Sequence, residues 1–255
     1  MVEIKTEREV QAMRAAGRVV AAALDAARAT AAVGVSLRDL DAAAAETIRA
    51  AGATPAFLGY RPDWAPSPFP GVVCASVNDA VVHGIPTDYR LVDGDLVSLD
   101  CGAFLDGWCG DSAVSFVVGE ADPEDLRLIA DTETALARGI EAARVGNRIG
   151  DIADAIGTFA RSQGWGLLAD HGGHGIGRAM HEDPDVPNEG RPGRGMKLRP
   201  GLVLALEPML IRGGTDDYRH DADGWTLRTL DGTRAAHSEH TVAITAGGPV
   251  VLTAA

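Results

Sequence analysis

Two segments of this 255-residue chain read as copies of one another, and this repeat restricts the possible folds more than any other feature. The segment GVSLRDLDAAAAETIRAAG begins at Gly34 and aligns without gaps with GNRIGDIADAIGTFARSQG, which begins at Gly146. Glycines match at both ends, and hydrophobic, aspartate and arginine positions match between them. The repeat predicts two related halves, approximately 1–120 and 121–255. A chance match between two alanine-rich amphipathic helices is the alternative.

Hydrophobic periodicity predicts four helices, one pair in each half. The first begins after Thr6, which has capping-box spacing with a glutamate three residues later. The second begins near Ser36. The third begins after Asp122, with a proline at the favoured first position, and is expected to continue to about Val145. The fourth is the second copy of the repeat.

Short β-rich segments follow the helix pair in each half. VVCASV, LVSLDC and SAVSFVV lie in the first half, and LVLALEPML and HTVAITAG lie in the second. Helices followed by strands within each half predict an α+β fold with a mainly antiparallel sheet. We expect the chain, residues 1–255, to form a single domain whose halves are related by an approximate two-fold axis.

Composition excludes several classes of function. A net charge of −13 argues against a broad phosphate-binding surface, so no direct nucleic-acid function is expected. No run of about 18 apolar residues is present, which argues against a transmembrane span. The charged start MVEIKTEREV lacks the apolar region of a secretory signal, so we expect a cytoplasmic protein. Cys74, Cys101 and Cys109 form no CxxC pair and are expected to be reduced core or pocket-wall residues.

The segment LVSLDCGAFLDGWCGDSA carries two acidic residues in a stretch that otherwise favours burial. Its Asp-Gly pair at 106–107 is a strong hairpin signal. A turn centred there places Asp100 opposite Ala113 and Asp111 opposite Gly102. The two carboxylates then lie diagonally on one face, about 7–8 Å apart between Cβ atoms, which leaves room for a cation. The alternative is that Asp111 only ends a strand and Asp100 only forms a turn.

The second half supplies further candidate metal ligands. Glu207 ends an apolar strand immediately before a proline, and Glu239 begins another strand. The stretch HGGHGIGRAMHEDP contains His171, His174 and His181, and the glycines beside His174 allow close backbone approach. A lone histidine is more often structural than a ligand. Oxygen ligands with one imidazole suit Mn, Fe, Co or Zn, and four carboxylates would neutralise about two such ions. Two ions sharing a hydroxide would point to hydrolysis.

These residues, in this order, resemble those of type I methionine aminopeptidases. The stretches that carry the resemblance cover nearly the whole chain: IKTEREVQAMRAAGRV, CASVNDAVVHGIP, SLDCGAFLDGWCGDSA, GHGIGRAMHEDP, LALEPM and DGWTLRTLDGTRAAHSEHT. The resemblance implies the α+β pita-bread fold, in which two pseudo-symmetric helix–helix–strands halves surround a central curved antiparallel sheet. It also implies two divalent metal ions, Co, Mn, Fe or Zn.

The same resemblance implies a role for each candidate ligand. Asp100 would chelate one metal ion, and Asp111 and Glu239 would bridge both. His174 and Glu207 would complete the shell of the second ion.

Catalytic roles are implied for three residues. His83 would contact the amino-terminal region of the substrate, and His181 would contact the scissile carbonyl or the intermediate. Glu207 would also shuttle the proton between the attacking water and the departing amine. His171 and His237 match no functional position and are interpreted as structural.

An apolar slot for the methionine side chain is also implied by the resemblance, with these candidate wall residues: Tyr60, Phe69, Cys74, Met180 and Trp225. For Trp225, a core position is the alternative. The sequence departs from the family here, because YRPDWAPSPFP is several residues longer than the usual bacterial form. The added elements, including Trp64, are expected to shape the rim of the pocket. Phe69 stands where the family has a tyrosine, which removes a hydroxyl.

The resulting hypothesis is a cytoplasmic, monomeric enzyme that removes the initiator methionine from nascent polypeptides with a small second residue. A metal-bridging hydroxide would attack the first peptide bond, and a transient contact with the ribosome is left open. The rival within the fold is an aminopeptidase P or prolidase, which normally carries an extra N-terminal domain. A rival of another class is a metal-free peptide-binding protein. Such a protein would have no use for four clustered carboxylates.

Overall fold

The structure, a computed structural model, describes residues 2–254, and within them four α-helices occupy the predicted places. Their bounds are α1 Glu7–Thr30, α2 Leu37–Ala50, α3 Pro123–Ala142 and α4 Ile149–Ser162. The third helix ends at Ala142, three residues before the predicted end at Val145. No helix in this part of the chain combines the length and hydrophobicity needed to cross a bilayer.

The other regular elements of the described chain are strands. In chain order they are β1 Thr54–Pro55, β2 Val73–Val77, β3 Ala80–Val82, β4 Leu96–Leu105, β5 Trp108–Val117, β6 Gly166–Leu167, β7 Gly172–Gly175, β8 Glu182–Pro187, β9 Val203–Leu206, β10 Met209–Ile211, β11 Tyr218–His220, β12 Leu227–Thr229, β13 Ala235–His237, β14 Glu239–Thr245 and β15 Gly248–Val251.

One large antiparallel sheet runs through both halves of the described chain. Its order is β1-β4-β5-β14-β9-β7-β8, with β2 added to β4 and β15 added to β14. The halves meet where β5 pairs with β14, at Glu239 opposite Ala113. Two smaller sheets, β13-β10-β6 and β11-β12-β3, lie beside it. The predicted α+β class with an antiparallel sheet is confirmed.

The hairpin of β4 and β5 has the predicted register. Asp100 pairs with Ala113 and Gly102 pairs with Asp111. Asp106 and Gly107 both have positive φ, as a two-residue hairpin turn of this twist requires. The two carboxylates therefore lie on one face of the sheet.

The two copies of the repeat are equivalent in structure as well as in sequence. Both α2 and α4 have 14 residues. In each helix an aspartate three residues after the N-cap accepts a hydrogen bond from the N-cap backbone, Asp39 at 2.9 Å and Asp151 at 2.7 Å. Ser36 and Arg148, which match in the alignment, each form an isolated antiparallel β-bridge. These shared details favour related halves over a chance match.

Each half buries its helix pair against the sheet in its own hydrophobic cluster. One cluster contains Leu128, Ile152 and Leu204, and the other contains Leu40 and Leu99. The helices thereby cover one face of the large sheet, and the candidate ligands occupy the other.

Candidate metal centre and substrate cavity

Five side chains from both halves of the sheet converge on one cavity of about 270 Å³. They come from β4, β5, β7, the junction of β9 with β10, and the start of β14: Asp100, Asp111, His174, Glu207 and Glu239. Pairing between strands explains the convergence. His174 lies opposite Ala205 on β9, two residues before Glu207, and Glu239 lies opposite Ala113 on β5, two residues after Asp111.

Close packing of backbone permits this arrangement around His174. A Cβ atom at Gly173 would lie 2.1 Å from the carbonyl oxygen of Ala205, and one at Gly175 would lie 2.1 Å from that of Asp183. Both distances are far below van der Waals contact, so glycine is required on each side of the histidine. The sequence interpretation of these glycines is confirmed.

The polar atoms of these side chains lie close enough together to bind the same metal ion. Single ligand atoms of Asp111, His174 and Glu239 all lie within 4.8 Å of one another. His174 Nε2 is 3.5 Å from Glu207 Oε1. Glu207 and Glu239 form a second such group with His237, whose Nε2 is 3.7 Å from Glu207 Oε2.

Several oxygens of this cluster have no hydrogen-bond partner among the described residues. Asp100 Oδ1, Asp111 Oδ1 and Glu239 Oε1 are buried and unpartnered. Leaving a buried carboxylate oxygen without a donor or a cation costs several kcal/mol. A divalent metal is the kind of ligand that these acceptors fit.

Burial and mutual repulsion shift the pKa of every carboxylate in the cluster upward. The pKa of Asp100 and that of Glu239 are raised well above the ordinary values, first by burial and then by the neighbouring carboxylates. Burial also raises the pKa of Glu207, with Asp111 adding to the effect. The pKa of Asp111 itself is raised to about 7 by burial. Without cations, the cluster therefore retains protons near neutral pH.

The pKa values of the imidazoles around the cluster are lowered, whereas those of the carboxylates are raised. Burial lowers the pKa of His174, His83 and His237 to about 3 in each case. Neutral imidazole is the form that ligates metals or exchanges hydrogen bonds with a substrate. His174 Nδ1 lies 2.9 Å from the Gly175 carbonyl oxygen, which leaves Nε2 facing the carboxylates.

The two histidines predicted to contact substrate both line the cavity. His83 follows β3 with φ of +60°, and its Nδ1 is buried without a partner in the described chain. His181 lies at the mouth, with its ring centroid 4.1 Å from that of His174. The hydroxyl of Tyr60 is 3.3 Å from His181 Nδ1.

The predicted slot residues all line the same cavity: Tyr60, Phe69, Cys74, Met180 and Trp225. Cys74 pairs with Asp100 across β2 and β4, which explains why a slot residue and a candidate ligand share one face. Phe69 packs edge-on against Trp225 with ring centroids 5.1 Å apart. The longer segment around Trp64 therefore leaves Tyr60 and Phe69 in the wall.

Sequence reasoning missed some residues of the site. His171 and His237 were interpreted as structural, yet His171 lines the cavity and His237 contacts two of the carboxylates. For His237 a signal existed, because it precedes Glu239 by two residues and strand residues two apart share a face. Phe57 and Met209 also line the cavity.

Cys101 and Cys109 do not line the cavity. Both are fully buried free thiols, and burial raises the pKa of each well above its ordinary value. A protonated, enclosed thiol is neither a nucleophile nor a metal ligand. The prediction that these two cysteines are core residues is confirmed.

A buried ion pair supports the turn that carries Met180 and His181. Lys5, only 4% exposed, lies 2.7 Å from Glu182 Oε2. The other carboxylate oxygen of Glu182 accepts hydrogen bonds from the backbone N–H groups of Arg178 and Ala179. The N-terminal segment thereby fixes the position of the turn at the mouth of the cavity.

Comparison with known proteins identifies the class. The model of a family described as metallopeptidase family M24 matches residues 11–246. The chain belongs to this family, and it is therefore a peptidase of a family that uses metal ions.

Within the family, the chain is similar to methionine aminopeptidases over its full length. It is 53% identical over 252 residues to methionine aminopeptidase 1 of Mycobacterium tuberculosis, covering 96% of this chain and 92% of that protein. The crystal structure of methionine aminopeptidase from Thermotoga maritima has a TM-score of 0.94 at 39% identity, with all of both chains covered. The resemblance inferred from the motifs is confirmed.

A more distant structure has the same fold. Prolidase from Pyrococcus furiosus has a TM-score of 0.79 at 23% identity, covering 99% of this chain and 65% of the prolidase. At this identity the likeness establishes the fold alone. Together the two structures confirm the predicted pita-bread class.

Proposed function

We propose that this chain is a methionine aminopeptidase that hydrolyses the first peptide bond of polypeptides beginning with methionine. The observation that carries the proposal is a single cavity in which a buried carboxylate cluster adjoins an apolar slot. The full-length similarity to methionine aminopeptidases supports the same conclusion.

We also propose that two divalent metal ions, Co, Mn, Fe or Zn, are held by five residues: Asp100, Asp111, His174, Glu207 and Glu239. Support comes from their unpartnered buried oxygens and from the charge balance between four carboxylates and two divalent cations. The neutral imidazole of His174 completes an oxygen-rich ligand set typical of these metals. When bound, the ions would supply Lewis acidity and lower the pKa of water to generate the hydroxide that the family resemblance implies.

Residues of the chain would perform the other tasks. His83 would bind the amino-terminal region of the substrate from one side of the cavity. From the mouth, His181 would donate a ring N–H to the carbonyl oxygen of the scissile bond as negative charge develops there. Glu207 would hold the proton released by water and deliver it to the departing amine.

The slot would select methionine by shape and polarizability. Its wall combines the aromatic rings of Tyr60, Phe69 and Trp225 with two sulfur-containing residues, Cys74 and Met180. A long, unbranched thioether fits such a narrow apolar space and contacts aromatic rings favourably. Because the cavity holds only about 270 Å³, little room remains for the next side chain. We therefore propose a preference for a small second residue.

A peptide assay tests the proposed activity. Purified protein with added divalent metal should cleave Met-Ala-Ser at least tenfold faster than Ala-Pro peptides, and faster than Met-Leu-Ser. Preferential cleavage of Ala-Pro would instead establish the aminopeptidase P or prolidase activity. If calorimetry detected no divalent ion binding and no peptide were cleaved, the metal-free binding protein would be the better conclusion.

The proposed setting of this activity is the cytoplasm, where a monomer would act on nascent polypeptides without a membrane or nucleic-acid partner. A transient contact with the ribosome would bring the enzyme to these substrates. The absence of apolar runs long enough for a membrane and the acidic net charge support this setting. Light scattering of the purified protein should give the mass of one chain, and a dimer mass would contradict the proposed monomer.

A further inference from the structure

Residues 61–68 form an anchored loop at the mouth of the cavity. At its base the backbone N–H of Phe69 donates to the carbonyl oxygen of Tyr60 at 2.9 Å. Farther along, the indole N–H of Trp225 donates to the carbonyl oxygen of Ser67 at 3.1 Å. The loop therefore has a defined position against the slot wall.

Tyr60, which precedes this loop, and Trp64, which lies within it, each place an aromatic ring against one of the two histidines proposed to contact substrate. Tyr60 lies over His181, with ring centroids 5.7 Å apart and planes 23° apart. Trp64 lies over His83, with centroids 6.2 Å apart and planes 25° apart. Trp64 also meets Trp225 edge-on at 5.0 Å. All four residues of these two aromatic–histidine pairs line the cavity.

Packing of the hydrophobic core does not explain why Trp64 has a large exposed side chain. Its side chain is 56% exposed, whereas Ala65, the next residue in the chain, and Trp225, which lines the cavity, are almost completely buried. Single exposed hydrophobic residues are common on protein surfaces. Among the large exposed hydrophobic residues of the described chain, however, Trp64 is the one that lines the cavity.

We propose that Trp64 is a distal substrate subsite, whose exposed indole contacts the peptide residues that follow the scissile bond. The proposal rests on the proposed function for the direction in which the peptide runs. A cavity of about 270 Å³ accommodates the methionine and little more, so a longer substrate must leave it at the mouth, where the indole is exposed. The ligand class is an extended peptide with an apolar or aromatic side chain at its third or a later position.

The test compares a short and a long substrate, Met-Ala and Met-Ala-Phe-Ser-Gly, in the metal-loaded enzyme. Trp64→Ala should lower the ratio of kcat/KM for the long peptide to that for the short one by about 3- to 10-fold, mainly through KM, as loss of an aromatic contact predicts. Trp64→Phe should restore most of the ratio. Leu58→Ala, which removes a 54% exposed side chain outside the cavity, should leave the ratio unchanged.

A binding measurement separates failure of this inference from failure of the proposed function. Analogues of both peptides with a reduced, uncleavable first bond are titrated into the same variants by calorimetry. Selective weakening of the long analogue by Trp64→Ala would support the subsite even if the wild-type enzyme cleaved neither peptide. An equal loss of affinity for the short and the long analogue, or no loss for either, would overturn the proposed subsite.

Discussion

A carboxylate such as Asp111 is one of the least favourable groups to bury, and this chain buries it among three others. Its Oδ1 and that of Asp100 have no protein partner in the described chain, and every carboxylate of the cluster has a raised pKa. Such an arrangement is unfavourable for folding alone, and it is typical of a site that binds cations. The residues that reduce stability are therefore the ones from which function can be inferred.

His181 is the residue whose proposed role can be separated most cleanly from metal binding. It lies at the mouth and is not among the proposed ligands, so His181→Ala should retain the metal content of the wild-type protein. Loss of one hydrogen-bond donor to a developing oxyanion should lower kcat by about 10²- to 10³-fold. Turnover of Met-Ala-Ser and metal analysis by mass spectrometry check both parts. Unchanged turnover would remove His181 from the mechanism.

At the level of elements, the hairpin of β4 and β5 carries two candidate ligands and packs directly on α1. A Cβ atom at Gly110 would lie 2.8 Å from both the Cα and the backbone N of Gly17. Helix and strand thus approach each other through two glycines. This contact fixes the distance between α1 and the strand that carries Asp111.

Substitution of Gly110 tests this contact. Gly110→Ala should lower the free energy of unfolding by about 1–3 kcal/mol, because backbone atoms cannot move aside as a flexible side chain can. Gly247→Ala is the matched control, since its Cβ would meet only Thr245 Oγ1 at 3.8 Å. The control should change stability by no more than about 0.5–1 kcal/mol, in the stabilising direction. Urea unfolding measures the free energy of unfolding of both variants. Equal changes in the two would contradict the packing argument.

The segment before α1 contacts the turn that carries Met180 and His181 through the Lys5–Glu182 pair. Lys5→Met should lower the free energy of unfolding by about 3 kcal/mol or more, because it leaves the partly buried Glu182 carboxylate without its cation. Arg49→Met removes an exposed ion pair with Glu46 and should cost less than about 0.5 kcal/mol. Urea unfolding compares the two variants. Addition of Glu182→Gln should recover part of the loss, and the absence of any recovery would show that the pair itself is not the cause.

At the scale of the whole molecule, the candidate metal centre lies where the two halves join. Asp100 and Asp111 belong to the first half, and His174, Glu207 and Glu239 belong to the second. Bound cations would therefore link the halves in addition to balancing charge. Stability of the complete chain should depend on metal and pH together.

In the metal-free protein, the favourable contribution of Asp111 to stability should be lost as the pH rises from about 4 to about 7. The pKa of Asp111 is about 7 in the folded chain, above the ordinary value of 3.8, so the folded state binds more protons across this window. Its contribution is favourable below the window and is lost as the pH passes the folded pKa, on the order of a few kcal/mol. The buried histidines, whose pKa is lowered, act in the opposite direction over part of this window, so the test compares wild type with Asp111→Asn. By urea unfolding with a chelator present, the free energy of unfolding of the wild-type protein should fall more with rising pH than that of the variant.

Added divalent metal should reverse this pH dependence. Ligands must be deprotonated to bind, so the stabilisation by metal grows as the pH rises. At a free metal concentration about 100 times the Kd, the gain is about 2.7 kcal/mol. A metal-loaded protein with the same pH slope as the chelated protein would contradict the proposed ligand set.

Much of this molecule could be predicted from local sequence patterns. The capping signals at Thr6 and Ser36 mark helix starts, the Asp-Gly turn sets the register of Asp100 and Asp111, and the repeat predicts two halves. Each of these depends on residues close together in the chain, where backbone geometry and side-chain periodicity act directly. The motifs also sufficed to identify the family.

Tertiary structure alone decided which distant residues meet at the site. The contacts of His237 with Glu207 and Glu239 depend on how β13, β14 and the end of β9 are placed, and the position of Trp64 over His83 depends on how a loop docks on Trp225. No short-range pattern encodes such distances, because they result from packing of the whole sheet. The sequence by itself determined the elements and the chemistry available, and the fold determined which of those groups act together.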